Sequence, residues 1–403
     1  MRLFVTFCTL WLSCLALADA GNFNKVVAYM GSWSNSRPGA GAFNISNINA
    51  SLLTHAIYAF GYISDGGEIL IEDEYRDLST NGGLGGYDEF NALRNQNPEL
   101  KTLFSIGGWT AGSLNFSEVV SSSTLRSNFV ENAREFALKY DFNGIDIDWE
   151  YPAQRGGAET DYENFVLLLE ELRAAFDEEG LLLSVAVGAS QSNVDLSYNA
   201  SGISNAVDFI TLMEYDFHGS WDNLTGHNTP LYAGSWETTA TEQTLNINAS
   251  VHYWLEQGAS AEKLLLGTAF YGKTFTLTNS SETTPGSPVN GVGNAGPYTQ
   301  ENGTLAYYEI LEKFQEGNWT KVFDDEQQVP YAYCGDQWLT YDNPSSLDVK
   351  AAFAKEMGLG GFSIWAIDLD DFSGLYGEKY PLLNALNANI DDTSTSSSSS
   401  TSD

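Results

Sequence analysis

Eight short apolar runs, separated by segments of helical periodicity, limit what this chain can fold into more than any other feature. They are KVVAYM (25–30), HAIYAFG (55–61), KTLFSIGG (101–108), NGIDIDWE (143–150), LLLSVAVG (181–188), DFITLMEYD (208–216), KLLLGTAFYG (263–272) and GGFSIWAIDLD (360–370). Each is too short for a free-standing helix and reads as a buried strand. Between them, Leu125, Phe129, Ala133, Phe136, Ala137 and Tyr140 share one helical stripe, as do Phe165, Leu169, Leu172 and Phe176, then Leu245, Val251, Trp254 and Leu255. Residues 348–357 supply another helix before the eighth run. Strands alternating with helices imply a parallel sheet, and eight such units imply closure into a (β/α)8 TIM barrel of the α/β class.

The seventh and eighth runs lie much farther apart than one helix and two loops require. A Gly- and Pro-rich opening, TTPGSPVNGVGNAGPYT, is followed by LAYYEILEKF, which reads as a helix, and by VPYAYCGDQWLTYDN, which reads as strand. Residues 273–343 are therefore expected to form a small inserted α+β domain between strand seven and strand eight. It would stand as one wall of the barrel mouth.

Residues 1–20 have Arg2, an apolar run from Leu3 to Leu17 and the small-residue site Ala18-Asp19-Ala20, the pattern of a cleaved secretory leader. The catalytic unit is expected over 21–390, ahead of a low-complexity Ser/Thr tail at 391–403 expected to be disordered. The product is expected to be secreted, or delivered to a vacuole or lysosome, with no membrane span. Cys8 and Cys14 leave with the leader, so Cys334 remains alone and no intrachain disulfide is possible. Stability must then come from a large core. A formal charge of −35 repels phosphate backbones and anionic membranes, which argues against nucleic-acid binding. Nine Asn-x-Ser/Thr sequons fit a glycosylated surface, and a monomer is expected.

Chemistry concentrates in FNGIDIDWEYP, where Asp146, Asp148 and Glu150 alternate with Ile145, Ile147 and Trp149. Side chains alternate across a strand, so the acids project one way and the apolar set the other. Three carboxylates on an inward face cannot all stay ionised, which implies raised pKa values. Active sites of such barrels lie at the strands' C-terminal ends. Glu150 therefore reaches the mouth, with Asp148 and Asp146 successively deeper. Strand six brings Tyr215 and Asp216, strand eight Trp365, and strand three Trp109. An acid beside aromatic plates suits a neutral sugar polymer, because pyranose faces stack on indole rings while the acid protonates the bridging oxygen.

FNGIDIDWEYP, SIGGW, MEYDFHGSW, FYGKTFTL and GGFSIWAIDLDDF, in this order, resemble the motifs of family 18 glycoside hydrolases, specifically secreted chitinases with the small insertion domain. The resemblance covers 24–388. It implies hydrolysis of β-1,4-linked N-acetylglucosamine polymers with retention, the substrate's own acetamide oxygen acting as nucleophile. In that scheme Glu150 is the proton donor, Asp148 orients the acetamide N–H, Asp146 shares a proton with Asp148, and Tyr215 donates to the acetamide carbonyl. Trp365 is the apolar floor beside Asp216 and Met213. Tyr29, Trp33, Phe60, Trp109, Trp221, Tyr271 and Lys273 are expected along the substrate wall. The partners implied are chitin and chitooligosaccharides, with no metal and no cofactor.

Two departures from the family pattern stand out. Asn143 replaces the usual first Asp and is expected to tune the inner hydrogen-bond network, while Lys273 replaces the common Arg, trading a bidentate donor for a point charge. His218 reads as structural, and Asp368, Asp370 and Asp371 as loop-capping acids rather than metal ligands. The rival readings are a chitinase-like lectin, which in this family has commonly lost the acid at position 150, and an endoglycosidase of N-glycan cores.

Overall fold

The computed structural model describes residues 23–390. Eight parallel strands run β1 Lys25–Gly31, β2 His55–Ile63, β3 Lys101–Gly107, β4 Gly144–Asp148, β5 Leu182–Gly188, β6 Phe209–Met213, β7 Leu264–Ala269 and β8 Gly361–Trp365. Their order is β1-β8-β7-β6-β5-β4-β3-β2, and pairing of β1 with β2 closes the ring. Each apolar run holds one strand of this (β/α)8 barrel. A short antiparallel strand, Ile69–Ile71, hangs on the outer end of β2.

Helices at Ser123–Lys139, Asp161–Asp177 and Ile247–Glu256 hold the expected stripes except for Tyr140 and Leu245, which fall just outside, and Pro344–Glu356 is the further helix expected before β8. Local capping helps to start three of them: Ser122, Asn246 and Asn343 accept the N–H groups of Leu125, Ala249 and Ser346. The barrel thus has two cores. Val27, Ile57, Leu103, Phe209 and Leu265 fill its interior, while Ile145, Ile147 and Trp149 face the helices. Trp149 stacks on Phe116 at 5.1 Å and donates to Ser113 Oγ at 3.0 Å. Packing of this kind is worth about 3–5 kcal/mol when read by truncation to alanine.

The seventh run divides. β7 ends at Ala269, level with Trp365 of β8, and after one residue Tyr271–Leu277 opens a second, six-stranded sheet. That sheet is antiparallel, runs to Gln337–Thr340, and carries the helix Tyr307–Gln315. Where 329–343 reads as one strand in sequence, the structure has a hairpin of Val329–Cys334 and Gln337–Thr340. Gly335 turns it at φ +60°, a left-handed conformation natural to glycine. Among the described residues no helix is long and apolar enough to cross a membrane. The expected leader and Ser/Thr tail lie outside the described residues.

Candidate active site

Alternation along β4 places Asp146 and Asp148 inside the barrel and carries Glu150 to its mouth. Ser105 of β3 and Ser184 of β5 lie level with Asp146 on either side. Ser184 Oγ donates to Asp146 Oδ1 at 2.6 Å, while Ser105 Oγ and Tyr29 Oη donate to Oδ2 at 2.7 and 3.0 Å. Burial raises the pKa of Asp146, and these three donors hold the rise back.

Asp148 has no such cradle. Its Oδ1 is buried without a hydrogen-bond partner. Burial pushes its pKa well above the carboxylate range, and the neighbouring charges of Glu150 and Asp146 push it further. Burial also raises Glu150, to about 7, against the opposing influence of Tyr151 and Arg155. The strand ends meet closely because Gly107 of β3 has φ +126°, and a Cβ there would lie 1.9 Å from Asp148 O. Peptide bonds Ala59–Phe60, Glu150–Tyr151 and Trp365–Ala366 at this end are cis.

Asp148 and Glu150 open into a cleft of about 400 Å³ that Trp33, Phe60, Trp109, Met213, Tyr215, Asp216, Tyr271 and Trp365 also line. Trp365 lines it stacked against Phe60 at 5.6 Å. Trp33, Trp109 and Trp221 are 37%, 61% and 58% exposed, so none of the three is a core residue. Trp221, expected along the substrate wall, lines neither this cleft nor the one beside it; its ring centroid lies 5.8 Å from Lys273 Nζ. Lys273 itself lines an adjoining cleft of about 340 Å³ that shares Trp33, Asp216, Tyr271 and Trp365 with the first. Asp216 is tied down, accepting from Tyr271 Oη at 2.6 Å and pairing with Lys273 Nζ at 2.9 Å.

Two expectations are corrected, those for Tyr29 and Asn143. Tyr29 is not part of the substrate wall: it is buried beneath the cleft, and its hydroxyl is spent on Asp146. Asp146 has hydroxyl partners on both oxygens and acts on Asp148 through its charge. Asn143 lies at the opposite end of β4, where its Oδ1 accepts from Thr102 N at 2.9 Å, remote from the inner network.

Sequence reasoning missed Tyr62, Glu72, Gly107 and Thr110, which also line the cleft. Ser105 and Ser184, lone hydroxyls in apolar runs, were the available signal for the cradle around Asp146. The other polar groups singled out are engaged structurally. Asp370 accepts the N–H of Leu383, Asp371 accepts those of Leu375 and Tyr376, and Asp368 pairs with Arg37. His218 bridges Asp222 and Glu237, whose carboxylates outweigh burial and raise it to about 9.

The sequence profile of "Glycosyl hydrolases family 18" matches residues 25–370. The chain belongs to that family. Mouse (Mus musculus) chitotriosidase-1 is 38% identical over 382 residues, 92% of this chain and 79% of that protein. The Group IV chitinase of Ostrinia furnacalis superposes on this family 18 chain with a TM-score of 0.88 at 40% identity, covering 91% of this chain and 99% of that one. Human YKL-39, described as a pseudo-chitinase with retained chitooligosaccharide binding, has a TM-score of 0.84 at 37% identity, covering 91% and 99%. The chain is thus similar both to chitinases and to a protein described as a pseudo-chitinase.

Proposed function

We propose that this family 18 glycoside hydrolase cleaves chitin and chitooligosaccharides with retention, through an oxazolinium intermediate made from the substrate's own acetamide. The observation that carries this reading is the partnerless Oδ1 of Asp148 directly beneath Glu150. Asp216 and Glu72, the other carboxylates lining the cleft, are held by Lys273 and Tyr271 and by Arg76 and Tyr62. None is left as a free nucleophile, whereas Asp148 has an acceptor to offer an acetamide N–H.

With Trp365 under the sugar, Glu150 gives its proton to the bridging oxygen as the glycosidic C–O bond breaks and the acetamide oxygen closes on the anomeric carbon. Asp148 orients the N–H and stabilises the positive charge. Tyr215 donates to the acetamide carbonyl. Water then attacks the anomeric carbon from the face opposite the acetamide oxygen, whose bond to that carbon breaks to restore the acetamide, and the water's proton passes to Glu150. Export belongs to the same reading, on the strength of the leader pattern at 1–20.

Partly acetylated chitosan tests the mechanism. New reducing ends are expected to be N-acetylated, the first product to be the β-anomer, and cellulose to remain uncut. Glucosamine at most new ends, or initial α-anomer by NMR, would sink it. The similarity to YKL-39 favours a second reading, binding without cutting, and release of no reducing sugar from bound oligomers would establish that one instead.

A further inference from the structure

Arg155 is exposed, five residues past Glu150, in a loop outside every motif quoted above. Its Nη1 donates to Trp109 O and to Glu150 O, both at 2.8 Å. Its guanidinium carbon lies 3.8 Å from the centroid of the Trp109 ring. One side chain thus touches the end of β4, the loop after β3, and the most exposed of the three cleft tryptophans. The loop that carries it is fastened: Asp161 accepts the N–H of Ala158 at 2.8 Å, Gln154 donates to Ser197 Oγ at 2.9 Å, and Ser197 donates to Pro152 O at 2.6 Å. An exposed indole held only by its own backbone would sample several rotamers. A planar guanidinium lying against one of its faces and anchored by two hydrogen bonds removes that freedom.

We infer that Arg155 is a positioning residue for the hydrolytic reaction, fixing the Trp109 plate relative to the backbone of the acid Glu150. The inference rests on the reading of Glu150 as proton donor. It carries a second, electrostatic consequence. Asp148, Tyr151, Tyr198, Tyr215 and Asp216, acids or phenols, interact with Glu150, and the cation Arg155 opposes the rise of its pKa. Removing it takes away an influence that favours the ionised acid.

The experiment compares Arg155→Met and Arg155→Lys with wild type on N-acetylglucosamine oligomers. The Met variant is expected to lose about tenfold in kcat/KM. Its alkaline limb should move upward by roughly half a pH unit, less so in high salt. The Lys variant keeps the charge and hence the limb, but loses the planar group over Trp109 and with it most of the kcat/KM. In a Trp109→Ala background, Arg155→Met should add little. Wild-type kcat/KM with an unmoved limb in the Met variant, or losses that simply multiply with Trp109→Ala, overturns the inference. If the Met variant fails to fold, an Arg155→Lys variant of wild-type kcat/KM overturns it. A wild type that turns over no oligomer sinks the hydrolytic reading instead, and the effect of Arg155→Met on oligomer affinity then decides whether Arg155 positions Trp109.

Discussion

Asp342 and Asp148 are both buried carboxylates, 2% and 4% exposed, yet their surroundings are opposite. Asp342 Oδ1 accepts from Lys350 Nζ at 2.5 Å and from Ser346 Oγ at 2.7 Å, while its Oδ2 accepts from Thr229 Oγ1 at 2.6 Å. Asp148 Oδ1 accepts from nothing. A buried charge with a complete set of partners is architecture, since removing one partner leaves the other desolvated and alone. Glu214 is buried with an unfilled Oε1 as well, but it lines neither cleft, whereas Asp148 opens into one. The lesson is that neither burial nor an unfilled acceptor alone singles out an acid for a site, whereas the two together at the wall of an open cleft do.

The comparison can be pressed hardest at Glu150. Glu150→Gln removes the proton without changing shape, so kcat is expected to fall by about 10²–10⁴-fold while oligomer affinity and melting temperature hold. Near-normal turnover would reassign the acid. Asp148→Asn should lower kcat by about a hundredfold and leave the melting temperature level or higher, because a strained, desolvated acid becomes a neutral amide. The mirror experiment is Asp342→Asn. It strands the Lys350 ammonium and should remove about 3–5 kcal/mol of stability with little change in the kcat of folded protein. Denaturant melts and single-substrate kinetics on the pair test the contrast, and equal stability losses at both sites would erase it.

A pH profile sharpens the same point. As the proposed proton donor, Glu150 must be protonated to act, and burial raises its pKa to about 7. Activity is therefore expected to fall as pH rises through about 7. Because Asp148 and Glu150 interact, that limb belongs to the pair. A limb near the ordinary carboxylate range would mean that the site is wetter than the structure shows.

The barrel strands were legible because a strand buried on both faces must be apolar throughout, which spaced runs reveal. Their ends were not. Tyr271 and Gly272 continue the apolar character of β7, although the chain has already crossed to the second sheet. The acids were legible because charge repeated at a period of two inside such a run is too costly to bury unless a site uses it. Tyr62 and Glu72 were not, since they flank the short antiparallel strand Ile69–Ile71, whose place beside the mouth no local pattern announces. Asn143 was read through its neighbours in a motif, and only the fold puts it at the far end of the strand. The smallest expected effect follows from that placement. Asn143→Asp should change kcat/KM by less than about twofold and add at most about 0.5 kcal/mol through Arg94, which lies within 3.4 Å of Asn143 Oδ1. A tenfold kinetic change would restore Asn143 to the inner network.

The manner in which the second sheet joins the barrel bears on how such a chain can be edited. Its first strand, Tyr271–Leu277, leaves one residue after β7, and its last, Gln337–Thr340, returns paired to it, with Lys273 level with Thr340. Outgoing and incoming chains are thus one strand spacing apart, about 4.8 Å, before either has travelled far from the barrel. Everything beyond that pair is a detour between two neighbouring points. A turn of a few residues across it would reclose the path to the helix Pro344–Glu356 without disturbing barrel register, and longer excursions attach there as readily. The height of the wall beside Trp365 is, in this sense, a parameter independent of the barrel beneath it.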